Sequence, residues 1–179
     1  RDAEKNLLKS LALFKFMEYT GTYSASAYEN LGLLSEKKGD YLTALSFYQK
    51  AIQDISPEFH AVDNISCPSF DEVFPTPALL RILKSKAKCL STLYLYKLKP
   101  DYLDAALNTY TTGIAVVDEL RNIYQSYESK LQIAKDEYVI YRSALSLANA
   151  GYINTHNNRY LQIAFEVSEK SKSPGKRFW

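Results

Sequence analysis

Residues 28–57 read YENLGLLSEKKGDYLTALSFYQKAIQDISP, and this stretch decides the fold. Gly39 separates two runs of helical apolar spacing, and glycine is the residue best suited to the left-handed conformation that follows a helix. Asp40 comes next, a side chain able to accept from the free amides that open a second helix. Before the break, Gly32 stands one turn beyond Tyr28 and beside Leu31; after it, Ala44 and Ala51 bracket Tyr48 at steps of four and three. Small residues let two helices approach closely, and the larger ones fill the space that remains. The pattern predicts a helix over about 23–38, a tight turn, and a second helix over about 41–53, with Pro57 closing the unit.

The same punctuation extends in both directions. Upstream, a first helix is expected near residues 3–18, ending at Thr20-Gly21. Downstream, residues 54–75 hold Pro57, Pro68 and Pro75 among Asp, Asn and Ser, and are expected to form a long loop. Thr76-Pro77 restarts the helix as N-cap and first-turn proline, carrying it to about Leu98. Lys99-Pro100-Asp101 breaks and recaps the chain, and a fifth helix runs to about Tyr124. Ser126 marks a bend, and a sixth helix continues to about Tyr152. Asn154–Asn158 is expected to be a polar turn before a last helix over about 159–172, stopped by Pro174-Gly175. Three stripes support the long helices: Leu80, Leu83, Ala87, Leu90 and Tyr94; Leu103, Ala106, Tyr110, Gly113, Val117, Leu120 and Tyr124; and Leu131, Ala134, Tyr138, Tyr141, Leu145, Ala148 and Tyr152. No stretch reads convincingly as a strand.

Composition narrows the function classes. With 179 residues, 46% hydrophobic and 23% charged, the chain lies in the globular range and buries enough surface to need no metal or disulfide. A net charge of +2 argues against a dedicated nucleic-acid binder or a polybasic membrane protein. Two cysteines make no disulfide framework, and no apolar run approaches the roughly 18 residues of a membrane span. A cytoplasmic protein is expected. The opening residues Arg1-Asp2-Ala3-Glu4-Lys5 already read as helix, as expected for a stretch lying inside a larger protein.

The order Tyr28-x-x-Leu31-Gly32, Gly39-Asp40-Tyr41, Ala44-x-x-x-Tyr48-x-x-Ala51 and Pro57 resembles the tetratricopeptide repeat, a helix–turn–helix unit of 34 residues. Ser10, Phe14 and Met17 precede Ala44, Tyr48 and Ala51 by 34 residues each, so the first helix looks like helix B of a truncated repeat. Ala106, Tyr110 and Gly113 repeat the set 62 residues later, and Ala164, Ser168 and Ser171 a further 58 on, which implies extended helices. Later blocks carry a more specific resemblance: Leu79 to Ala87, Tyr102 to Tyr110, Asp118 to Arg121, Tyr124 to Leu131, and Ala164 to Lys172. In this order they look like the tetratricopeptide region that precedes the CHAT domain of large bacterial proteins. That resemblance covers about residues 20–172 and implies a regulatory or sensor arm ahead of a caspase-like domain with a His–Cys pair. After Lys172, Ser173 to Trp179 leaves the family pattern.

The chain's own residues offer little chemistry. A Cys/His protease pairs a thiolate with an imidazole. Of the candidates, Cys89 lies in an amphipathic stretch and reads as a small hydrophobe, His156 sits among asparagines, and His60 and Cys67 lack the flanks of the family's dyad. His60, Asp63, Cys67, Asp71 and Glu72 share one loop, but without zinc- or calcium-site spacing. They read as a solvated acidic loop packed down by Phe59, Phe70 and Phe74, or as a partner contact. No glycine-rich phosphate cradle exists, and Lys170, Lys172, Lys176 and Arg177 read as a solvated tail. No cofactor, metal or catalytic residue is expected.

Peptide capture is the remaining activity. The resemblance implies that the A helices line a concave groove. The carboxylate-clamp members hold a carboxylate with an Asn, a Lys and an Arg on successive A helices. Asn30 matches the Asn, Lys86 or Lys88 the Lys, and Ser91 or Thr92 stands where the Arg would be. The groove is expected to be lined by Ser26, Glu29, Asn30, Leu33 and Lys37 from the second helix, with Lys84, Lys88, Ser91 and Leu95 from the fourth. The plain alternative is that these polar residues are solvated surface.

The expected fold is an all-α, right-handed α-solenoid of antiparallel helix pairs, about seven helices in one unit. Its divisions are 1–21 (helix B of a truncated repeat), 22–58, a long loop at 59–75, 76–126, 127–173, and a tail at 174–179. The expected function is non-enzymatic protein–protein interaction or scaffolding. The partner is a protein or peptide segment, the chain's own C-terminal catalytic domain included, with neither nucleic acid nor membrane. A free-standing peptide-binding adaptor or co-chaperone, and the non-catalytic part of a cysteine protease, are the alternatives; the gene downstream of residue 179 separates them.

Overall fold

The computed structural model describes residues 2–17, 21–124 and 126–172. Among these residues there are seven α-helices, one 3₁₀ turn and no strand. The helices are α1 (Asp2–Phe16), α2 (Thr22–Lys37), α3 (Tyr41–Ile55), α4 (Pro77–Lys97), α5 (Pro100–Ile123), α6 (Tyr127–Thr155) and α7 (Asn158–Lys172), and the 3₁₀ turn is Phe70–Glu72. The expected stops at Thr20 and Pro174-Gly175, and the tail at 174–179, lie outside the described residues.

Local stereochemistry sets the boundaries. Gly39 takes φ 79°, its amide bonds to the carbonyl of Glu36, and the amide of Asp40 bonds to that of Ser35. These two bonds are a Schellman motif, which satisfies carbonyls the ending helix would otherwise leave open. Asp40 then accepts from the amide of Thr43 at 3.1 Å and opens α3. Thr76 does the same for Leu79 ahead of α4, with Pro77 in the first turn. Leu98 closes α4 in the left-handed region, at φ 51°, and Pro100 opens α5 two residues later. The turn before α7 is shorter than the polarity of Asn154–Asn158 suggests. Asn154 stays helical because its side-chain amide donates to the hydroxyl of Tyr94 at 3.1 Å, leaving His156 and Asn157 to reverse the chain.

Each helix packs on its neighbour in sequence, and α2 with α4 and α4 with α6 also touch. The core runs between these helices. Leu83, Ala87, Leu90, Leu103, Ala106 and Val117 are among its completely buried members, and Tyr48 is enclosed between α2 and α3. The stripe expected on α6 holds in its second half, where Tyr141 and Ala148 are buried and Leu145 and Tyr152 pack against the core. In its first half Leu131, Ala134 and Tyr138 are exposed, and Ile133 and Ile140 are the buried positions. The terminal helices bury less: Met17 is exposed and Ser168 and Ser171 are half-buried, where Ala44, Tyr48 and Ala51 are fully enclosed.

The connection between α3 and α4 is tied down by specific bonds. Phe59 enters the core, but Phe70 and Phe74 are exposed, so one aromatic and not three anchors it. The carbonyl of Ser66 accepts from Lys86, and that of Pro68 accepts from Thr112 at 2.9 Å. Asp63 accepts from the amides of Ile65 and Ser66 and from the Ser66 hydroxyl, which closes a turn and holds its carboxyl below the usual carboxylate range.

Candidate functional site

The side chains of α4 define the site because this helix touches both α2 and α6. Toward α2, Arg81 donates to Glu29 at 2.6 Å and to Ser26 at 3.2 Å, while Ser85 reaches the second oxygen of Glu29 at 3.5 Å. Toward α6, Lys84 donates to Asp136 at 2.5 Å. The hydroxyl of Tyr110, on α5, meets both Ser91 and Ser143. Residue numbers rise together on both sides of these contacts, so α2, α4 and α6 run parallel. Both ion pairs link residues 52 apart, and Ser143 again follows Ser91 by 52. Three helices thus lie in register at that interval.

The two seams differ in depth. Glu29 is buried where α2 meets α4. Between α4 and α6 the chain leaves a cavity of about 360 Å³. Ser91 and Leu95 form one bank, Val139, Arg142, Ser143 and Ser146 the other, and Tyr110 the floor, with Tyr138 on the rim. Burial pushes the Tyr110 phenol up, partly offset by its two serine neighbours, so it is a neutral hydroxyl at physiological pH. Leu95 and Tyr138 are 63% and 64% exposed, a pair of large apolar side chains beside an open recess.

The nine residues expected to line one groove occupy three places. Ser26 and Glu29 face Arg81. Asn30, Leu33 and Lys37 line a crevice of about 480 Å³ that α2 shares with Asn6, Leu7 and Ser10 of α1. Ser91 and Leu95 line the α4/α6 cavity, Lys84 pairs with Asp136, and Lys88 is exposed on α4. The carboxylate clamp that the resemblance implies does not assemble around Asn30 and Lys86. Lys86 is completely buried and turned away, donating to Gln49 on α3 and to the carbonyl of Ser66. Desolvation lowers its pKa to about 8, against the favourable pull of Cys67 and Asp63.

The other candidates lie apart. Cys89 is buried with its thiol pushed up by desolvation, and donates to the carbonyl of Tyr41 at 3.5 Å. Cys67 donates to Thr112 at 3.4 Å. His60 and His156 are exposed. Among the described residues no three His, Cys, Asp or Glu side chains gather as a metal site would require, and no helix is long and apolar enough to cross a membrane.

Sequence reasoning missed the α6 bank. The signal that would have found it is the 52-residue offset, visible as Lys84/Asp136 and Ser91/Ser143; the intervals of 62 and 58 relate B-type helices and point away from it. No family model, curated protein or solved structure matches this chain.

Proposed function

We propose that this chain is a non-enzymatic interaction module whose α2/α4/α6 layer receives a segment of another protein. The observation that carries the reading is the parallel, in-register contact of these three helices with an open cavity between two of them. Such a layer is the arrangement a right-handed solenoid of antiparallel helix pairs presents on its concave side, and the tetratricopeptide-like order of residues 28–57 supports it. In the fuller form of the proposal the module is the regulatory or sensor arm of a CHAT-type protein, and the received segment belongs to a separate partner or to the catalytic domain of the same molecule. The proposed setting is the cytoplasm, where free thiols such as Cys67 and Cys89 are the ordinary state.

The test is selection of a random dodecamer peptide library on the purified protein. The selected peptides are then assayed against Ser146→Trp, an exposed position on the cavity wall whose indole would fill the recess. Loss of binding with an unchanged circular dichroism spectrum supports the groove. Selected peptides that bind Ser146→Trp as they bind wild type, or an unenriched library, count against it.

A further inference from the structure

The turns that join α2 to α3, α4 to α5 and α6 to α7 lie side by side. Because α2, α4 and α6 run parallel, their C-terminal ends and the starts of α3, α5 and α7 form one edge of the molecule. The rings of Tyr41 and Tyr96, 5.8 Å apart, join the first turn to the second, and the hydrogen bond from Asn154 to Tyr94 joins the third to α4. Each turn holds one residue in the left-handed region: Gly39 at φ 79°, Leu98 at φ 51° and His156 at φ 53°.

These residues are not equally suited to it. Gly39 has no Cβ to clash, and His156 sets its ring edge-on to that of Tyr152 at 6.2 Å. The Cβ of Leu98 crowds the following carbonyl oxygen, as any Cβ does in this region. Leu98 is also 62% exposed, so burial returns little of that strain. Tyr96 beside it is 72% exposed, and Leu42 is exposed at the start of α3. Stability alone would place glycine or asparagine at position 98. A strained backbone that presents an apolar side chain to solvent is an outlier of the kind that points to function.

Charge supplies the chemistry of the partner. Lys97 and Lys99 flank Leu98, and Lys37 ends α2 at the neighbouring turn. All three are exposed, and none forms an ion pair among the described residues. Lys38 and Arg159 are paired with Glu4 and Asp104. The remaining carboxylates here are Asp40, which caps α3, and Asp101, in the first turn of α5, where the helix dipole favours a negative charge. The central turn therefore projects Tyr96 and Leu98 between two ammonium groups. A projecting apolar tip suits a soft phase, whereas a folded partner would have to supply a matching hole. The lysines select headgroups of opposite charge.

We infer that this edge docks on an anionic lipid bilayer. Leu98 and Tyr96 enter the boundary between headgroups and acyl chains, while Lys37, Lys97 and Lys99 face the charged headgroups. Docking of this kind requires neither a large net charge nor a membrane-crossing helix, only a local cluster at one edge. It does not depend on the peptide groove, and either can fail without the other.

Co-sedimentation of the purified protein with lipid vesicles is the test. Vesicles of phosphatidylcholine with about one third phosphatidylserine are expected to bind wild type about tenfold more tightly than phosphatidylcholine alone, and about 0.5 M salt is expected to remove most of that difference. Leu98→Asn, a residue that tolerates the left-handed turn, is expected to weaken binding about fivefold while holding Tm or raising it by about 2 °C. The double variant Lys97→Gln/Lys99→Gln is expected to weaken binding about tenfold. A clear fall in Tm for Leu98→Asn would mark Leu98 as a support of the fold and overturn the inference. Failure of wild type to bind the anionic vesicles, or unchanged binding by Leu98→Asn, would overturn it equally. Self-association of wild type in sedimentation velocity without vesicles, lost in Leu98→Asn, would assign the edge to a second copy of the chain instead of a bilayer.

Discussion

The two seams of α4 are built on the same register and end in opposite states. On the α2 side, Glu29 is 3% exposed and receives Arg81, with Ser26 and Ser85 closing the remaining polar contacts. On the α6 side, the carboxylate of Asp136 and the ammonium of Lys84 are each about a quarter exposed, and the chain opens into a recess one turn further on. An identical 52-residue spacing therefore does not decide whether a seam is sealed. The neighbouring side chains differ. Ala27 and Leu31 on α2 and Leu80 on α4 are buried beside the Glu29–Arg81 pair, whereas Ser91 and Ser143 face each other across Tyr110 at a recess.

Removing one cation from each seam is the sharpest way to break the comparison. Arg81→Ala leaves the buried carboxylate of Glu29 with only the long contact from Ser85, and stranding a buried charge is costly, so a loss of about 3 kcal/mol is expected. Lys84→Ala leaves Asp136 able to rehydrate, and the loss is expected to be about 0.5 kcal/mol. Urea denaturation of the two variants measures both. Equal losses would mean that burial is not what separates the seams.

The third cation along α4 extends the same logic to full burial. Lys86 has no exposed surface, and its pKa falls from 10.5 to about 8 by desolvation. Because the folded-state value is depressed, the unfolded chain holds this proton to higher pH. Between about pH 8 and pH 10.5 the unfolded state then binds more protons, and stability rises with pH. Above about pH 10 the buried phenols of Tyr48, Tyr110 and Tyr141, all pushed up by burial, reverse the trend, since the unfolded tyrosines lose their protons first. Between about pH 7.5 and pH 9.5 wild type is expected to gain about 2 kcal/mol relative to Lys86→Met. Both profiles also carry a fall from the buried Cys89 thiol, whose raised pKa lets the unfolded chain lose that proton first. Asp63 and Cys67 face the ammonium from the loop, and comparison with the methionine variant removes their own contribution. A difference between wild type and Lys86→Met that does not change with pH would place Lys86 in contact with solvent.

How much of this was legible in the sequence follows from how local each cause is. Gly39-Asp40, Thr76-Pro77 and Lys99-Pro100 act through the backbone of three or four residues, and the helix boundaries they imply are close to those found. The face a long helix buries depends on what lies opposite. A 3.5-residue stripe served α5 throughout and α6 from Tyr141 onward, while the first turns of α6 leave Leu131, Ala134 and Tyr138 exposed. Lys86 was readable in principle, since Leu83 and Leu90, one turn to either side, are core positions. Its partners Gln49 and Ser66 lie 37 and 20 residues away, and no local rule connects them. The groove residues on α2 divided because a helix touching both α1 and α4 has no single outward face. Asn30 and Glu29, adjacent in sequence, point to different neighbours.

The smallest effect probes the packing beneath the two seams. Gly32, on α2, faces the ring of Tyr48, and a Cβ there would lie 2.5, 2.8 and 2.9 Å from three of its atoms. That ring is fully buried and its hydroxyl donates to Glu36 at 2.8 Å, so it has little room to yield. Gly113, on α5 one turn beyond Tyr110, would meet chiefly the terminal methyl of Ile140, the free end of a flexible side chain. Alanine gains about 1 kcal/mol over glycine inside a helix, whereas overpacking costs about 1–3 kcal/mol where the neighbour is rigid. Gly32→Ala is therefore expected to lose about 1 kcal/mol net, a fall of about 3 °C in Tm for a chain of this size, and Gly113→Ala to stay within about 0.5 kcal/mol of wild type. The reverse order would mean that α5 and α6 meet more tightly below the open recess than α2 and α3 do. The floor of the groove would then be the rigid part of the molecule, with Tyr110 held in place from below and not by Ser91 and Ser143 alone.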